Sequence, residues 1–151
     1  MTTVSDLKPS NFARLTDLSP ASFNEFFGDT LPGWFGIEVV EVAPECVVAR
    51  TPITRALLAP HGMLHGGALV TIADTICGVA TVVNLRDDAT GFLTIELKSN
   101  FLGAANAGVI ECVATPVHVG RNTQVWDALV TEERSQRQLA TLRCTQMVLR
   151  G

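Results

Sequence analysis

The stretch Ala68–Leu85, ALVTIADTICGVATVVNL, is the longest apolar run in the chain, and it carries one carboxylate, Asp74. Its length decides its form. Eighteen residues are too many for an ordinary buried strand, so the run reads as a helix, about 27 Å long at 1.5 Å per residue. A helix apolar on nearly every face must be covered all round, and the cover follows in the chain. TGFLTIELKSNFL, GVIECVATPVHVG, NTQVWDALVTEE and QLATLRCTQMVLR have strand character, and turn-like segments at Gly103–Gly108, Gly120-Arg121 and Glu132–Arg137 separate them. Upstream, GWFGIEVVEVAPECVVARTPI reads as a hairpin turning at Ala43-Pro44-Glu45. One long helix between a hairpin and a four-strand meander predicts an α+β fold, with an antiparallel sheet curled around the helix.

Ahead of the hairpin, Leu7, Phe12, Leu15, Leu18, Phe23, Phe26 and Phe27 recur at spacings near three and four, broken by Pro9 and by Ser19-Pro20. Ser as N-cap and Pro at the first helical position make a helix start, so one or two short helices are expected as an N-terminal extension over residues 1–32. The length of 151 residues fits a single domain, 1–151. Eleven basic against fifteen acidic residues give a net charge of -4, and no segment gathers the basic ones. Nucleic acid is therefore not an expected partner. Cys46, Cys77, Cys112 and Cys144 stand apart, with no C-x-x-C pair and no Cys/His cluster, so they read as reduced core residues rather than metal ligands. The N-terminus lacks a signal-peptide stretch, and no eighteen residues run without a polar interruption. A cytoplasmic protein with no membrane partner is the expectation.

Asp74 resists a purely structural reading, because a carboxylate inside an apolar helix is costly unless something compensates it. It either serves chemistry or bonds a neighbouring Thr or backbone group, or it faces solvent with Thr71, Gly78 and Thr81. At the helix entrance stands His65-Gly66-Gly67. Two glycines allow close approach, and the unpaired N–H groups of a first helical turn can hold an anion or polarise a carbonyl; plain turn chemistry is the alternative. Seven residues separate Gly67 from Asp74, about 10 Å along a helix. One chain does not easily bring both to one bond. Two such helices running antiparallel across a two-fold axis would bring the entrance of one to Asp74 of the other.

HGMLHGGALVTIADTICGVAT resembles the central signature of hotdog-fold acyl-CoA thioesterases of the phenylacetate-degradation (PaaI-like) type: a His-Gly-Gly turn, an Asp nine residues after the His, and small residues following. The similarity extends over roughly Gly33 to Leu149 in the order of elements. It implies an acyl-CoA substrate, a thioester carbonyl polarised by the N–H of Gly67 or Gly66, His65 fixing the turn, and Asp74 as nucleophile or general base. It further implies a hydroxyl on the strand after the helix, which falls on Thr94, otherwise an ordinary strand threonine. Gly120-Arg121-Asn122-Thr123 matches the loop that lies against coenzyme A in such proteins, with Arg121 suited to a phosphate; a hairpin turn with a solvated Arg is the alternative. The pattern departs at Ala59, where such proteins commonly carry an Asn, while His61 resembles a loop His of some of them. The resemblance implies a homodimer or homotetramer and no cofactor beyond the coenzyme A of the substrate. Two other activities remain open: a hydratase or dehydratase of enoyl or hydroxyacyl thioesters, and a non-catalytic acyl-CoA binding module.

Overall fold

The computed structural model describes Leu15 and residues 17–151; the readings placed on Leu7, Pro9 and Phe12 lie outside these. Two short helices come first, α1 (Pro20–Phe27) and α2 (Leu31–Trp34), followed by the hairpin β1 (Glu38–Ala43) and β2 (Cys46–Pro52). The central helix α3 (Gly66–Val83) precedes the strands β3 (Ala89–Phe101), β4 (Val109–Val119), β5 (Thr123–Glu132) and β6 (Gln138–Arg150). Every strand pairing is antiparallel, in one sheet of order β1-β2-β4-β5-β6-β3.

That order corrects the four-strand meander. β4, β5 and β6 do follow one another, but β3 pairs with β6 at the far edge. The reason is that β2 takes the other side of β4, matching Val47–Pro52 to Val109–Ala114, and leaves β3 only the free edge of β6. Period-two patterning reports which face of a strand is buried, not which strand lies beside it.

The sheet closes over α3. Ile72, Ile76, Cys77 and Ala80 are fully buried there, against small inward residues of the strands such as Ala49, Cys112, Ala114 and Ala140. Small side chains on the sheet let a helix of β-branched and alanine residues sit close, and each fully buried Ile contributes roughly 1.5–3 kcal/mol. By length and composition α3 could cross a membrane, but 56% of it is buried within the fold, as in a core helix. Cys77, Cys112 and Cys144 are buried free thiols; Cys46, at the start of β2, is only half-buried, against the expectation that all four are core residues.

α1 begins as its sequence predicts, with Ser19 Oγ accepting the Ser22 N–H at 3.2 Å. Asn24 then ties it to the edge strand β1, donating to the Val39 carbonyl at 3.0 Å and accepting the Val39 N–H at 2.8 Å. α2 closes tightly behind it, because a Cβ on Gly33 would lie 1.8 Å from the Gly28 carbonyl oxygen. The helical extension thus runs to Trp34, past residue 32, and lies against β1 and α3.

Candidate active site

α3 starts at a cap built by its own histidine. His65 Nδ1 accepts the Gly67 N–H at 2.8 Å, which places the imidazole proton on Nε2. A Cβ on Gly67 would lie 2.9 Å from that nitrogen, and one on Gly66 3.2 Å from the Phe101 ring. The Ala68 and Leu69 N–H groups turn back to the His65 carbonyl. Of the two donors the sequence offered, Gly67 is therefore spent on His65, whereas the Gly66 N–H has no acceptor among the described residues. His61 sits exposed in the preceding loop, its Nδ1 3.4 Å from the Met63 nitrogen. Ala59 holds that loop only through its backbone, donating to the Met63 carbonyl at 2.7 Å.

Two turns further along, Asp74 is half-buried rather than enclosed, and it is partnered. Thr94 Oγ1 lies 2.8 Å from Asp74 Oδ1 and 2.9 Å from Gln146 Oε1. Gln146 Nε2 is 3.0 Å from Cys144 Sγ, which is itself 3.4 Å from Asp74 Oδ1. A register shift between Thr94 and Glu96 leaves Thr94 directly opposite Gln146 and then reverses the faces, the usual effect of a bulge, which re-aims a side chain. The other small and polar residues of the helix do not form a solvent stripe: Thr81 is buried on the Cys77 carbonyl, and Gly78 fits under Phe92, whose ring a Cβ would meet at 3.1 Å. Cys77, one turn beyond Asp74, is a neutral thiol, pushed up by its hydrogen bond with Cys144 and by burial.

Asp74 and Thr94 open onto a cavity of about 200 Å³. Its walls are Phe23, Phe26 and Phe27 of α1, Pro32, Phe92, and Val79 and Val82 of α3, with Thr75 and Gly78 beside Asp74. Of two further features, the aromatic walls of α1 and the row Gln146–Cys144, the second escaped the sequence reading. It left a signal: Gln146 occupies an inward position of a strand whose other inward residues, from Ala140 to Val148, are apolar.

The remaining sequence candidates form a separate group. Gly120 closes the β4–β5 turn, with its N–H on the Thr123 carbonyl at 2.9 Å. Arg121 is not free in solvent: its guanidinium pairs with Asp88 at 3.0 Å, and Arg150 meets the same carboxylate oxygen at 3.0 Å. Arg150 also donates to Asn122 Oδ1 and to the Arg121 carbonyl. The Asp88 carboxyl is held below its ordinary range, chiefly by the Arg121 hydrogen bond. Within one chain, none of Gly120, Arg121, Asn122, Thr123, His61, His65, Gly66 or Gly67 lines the cavity.

A family model described as the Thioesterase superfamily matches residues 61–138. The chain belongs to this superfamily. Among curated relatives, this thioesterase is 32% identical to a 1,4-dihydroxy-2-naphthoyl-CoA hydrolase of Listeria monocytogenes, over 73% of the chain and 88% of that protein. It is 30% identical to the proofreading thioesterase EntH of Cronobacter turicensis, over 72% of the chain and 78% of that protein. Among solved structures, thioesterase PA1618 of Pseudomonas aeruginosa, in a mutant form, superposes with a TM-score of 0.84 at 25% identity, covering 91% of this chain and 98% of that one. A thioesterase family protein of Silicibacter pomeroyi gives 0.77 at 30% identity, over 85% and 96%. The fold is the hotdog fold, and the thioesterase is a thioester hydrolase; the hydratase and the binding-module alternatives give way. The matched region holds His61, His65, Asp74, Thr94 and Arg121, and leaves out α1, α2 and nearly all of β6.

Proposed function

We propose that the protein hydrolyses an acyl-CoA thioester to the free acid and CoA, with Asp74 as nucleophile or general base. The observation that carries this reading is Asp74, held by Thr94, at the mouth of an otherwise apolar cavity. As base, Asp74 takes a proton from water while the water oxygen bonds to the carbonyl carbon; the C–S bond then breaks and the thiolate takes a proton on leaving. As nucleophile, Asp74 bonds to that carbon, expels the thiolate, and water opens the resulting anhydride. In both forms the oxyanion needs a donor, and the Gly66 N–H at the start of α3 is available for it.

Gly66 lies too far along α3 from Asp74 to serve the same bond, so the site is shared between two copies of the chain. The edge strand β3 supports this. It ends the sheet and exposes Leu93 and Ile95 to more than half of their surface, an edge that is ordinarily paired or covered. Across the dimer, Gly66, His65 and His61 of one copy would face Asp74 and Thr94 of the other. Gly120, Arg121, Asn122 and Thr123 would take the coenzyme A, with Arg121 exchanging Asp88 for a phosphate. A cavity of about 200 Å³ suits a compact acyl group, since an apolar cavity of about 150 Å³ holds benzene. The hydrolysis calls for no metal or redox cofactor, and the protein is read as cytoplasmic. Thiol release from a panel of acyl-CoA esters tests the reading: turnover of compact apolar esters supports it, and no turnover of any ester overturns it.

A further inference from the structure

The polar row beside Asp74 has a proton count that its distances alone do not satisfy. Thr94 Oγ1 stands between two oxygens, Asp74 Oδ1 at 2.8 Å and Gln146 Oε1 at 2.9 Å, yet a hydroxyl has one proton to give. An ionised carboxylate only accepts, so Thr94 directs its proton at Asp74. Gln146 must then offer Thr94 a donor, which a half-turn of its amide supplies, since the two ends of an amide are nearly alike in shape. The turned amide directs its oxygen at Cys144 Sγ, 3.0 Å away, where the thiol has a proton to give. Gln146 is fully buried, and among the described residues Thr94 and Cys144 are its side-chain partners. Its neighbour across the sheet, Gln124, is committed to the Asn84 carbonyl and the Trp126 indole.

On the reading of Asp74 given above, we infer that Gln146 is a positioning residue: by donating to Thr94 it fixes the direction of the row, so that Thr94 holds Asp74 Oδ1 and leaves Oδ2 as the reacting oxygen. Asp74 Oδ2 has no hydrogen-bond partner among the described residues, whereas Oδ1 accepts from Thr94 and lies 3.4 Å from Cys144 Sγ, whose one proton is directed at Gln146. A carboxylate gripped at one oxygen cannot rotate that oxygen into the cavity, and the other is presented in one orientation. Without the Gln146 donor, the Thr94 hydroxyl is free to turn away and the grip loosens. The effect falls on the reacting group and not on substrate contacts, because Gln146 does not line the cavity.

The test is a double-mutant cycle on kcat and KM, using an acyl-CoA that the wild type turns over. Gln146→Met keeps the volume and removes the donor; loss of one oriented hydrogen bond corresponds to about a tenfold lower kcat, with KM unchanged within about twofold. Made on top of Thr94→Val, the same substitution should lower kcat less than about twofold, because the link it supports is already gone. Should melting curves show Gln146→Met misfolded, Gln146→Glu carries the same cycle, since its carboxylate competes for the Thr94 proton. Losses that multiply independently, a loss confined to KM, or no loss overturns the inference. Asp74→Asn in the same assay separates the two levels. If it is fully active, the role of Asp74 falls; if it is dead while Gln146→Met is unchanged, only the role of Gln146 falls.

Discussion

Asp74 and Arg121 both stood out in the sequence as charges with a purpose, and the fold treats them differently. Asp74 is half-buried, contacted by a threonine and a thiol on neighbouring strands, and set at a cavity mouth. Arg121 keeps 64% of its side chain exposed and pairs with a similarly open Asp88. The difference is one of dielectric and rigidity. A charge fixed among buried neighbours acts on a reacting bond at nearly full strength, while a pair in solvent is screened, contributes little to stability, and can be exchanged for another partner. A residue of the first kind should act on the chemical step, and one of the second kind on binding.

The sharpest break of that comparison is Asp74→Asn. It should lower kcat at least about 100-fold, with no fall in melting temperature, because a nearly isosteric amide keeps the volume and removes a desolvated charge. Full activity would make Asp74 a structural polar group and erase the contrast. Next comes the sharing of the site between chains. Asp74→Asn and a Gly67→Val variant, whose Cβ would press on His65 Nδ1, should each be nearly inactive. After subunit exchange, a mixture should recover about a quarter of wild-type activity, since half of the dimers are mixed and each has one intact site of two. No recovery, with exchange proved by mass spectrometry, would mean that one chain builds the whole site.

Phe26→Ala should enlarge the cavity and raise kcat/KM for an ester longer by one methylene about tenfold, because a methylene that finds room in an apolar pocket is worth roughly 1–3 kcal/mol; an unchanged chain-length profile would remove α1 from the acyl pocket. Arg121→Ala should raise KM about two- to fivefold with kcat nearly constant, less so as salt is added. Equal KM at low ionic strength would return Arg121 to its pairing with Asp88. The smallest effect is acid stability. Asp127 is held below its ordinary 3.8, mainly by the Arg143 hydrogen bond, so its stabilisation is present above that value and is lost as pH falls through the lower folded value. Asp127→Asn should therefore reduce stability slightly at pH 7 and less at a pH well below 3.8. An equal loss at both would show that the pair contributes through packing alone.

Much of this protein was legible without coordinates because the deciding signals are local. Eighteen residues of nearly continuous hydrophobicity dictate a core helix, Ser19-Pro20 dictates a helix start, and a carboxylate in such a helix marks itself by its cost. His65-Gly66-Gly67 is legible for the same reason, as a cap and its close approach lie within three adjacent residues. What only the tertiary structure decided is non-local. Strand patterning orients a side chain in or out but does not name the strand beside it, so the place of β3 against β6, and with it the meeting of Thr94 and Gln146, had no sequence signature. The spending of the Gly67 N–H on His65 required a rotamer, and the aromatic cavity required α1 to fold back over α3 under the hold of Asn24 on Val39. Hydrophobic periodicity tells each residue whether to be buried; which distant residues it is buried with is settled only when the whole sheet has closed around the helix.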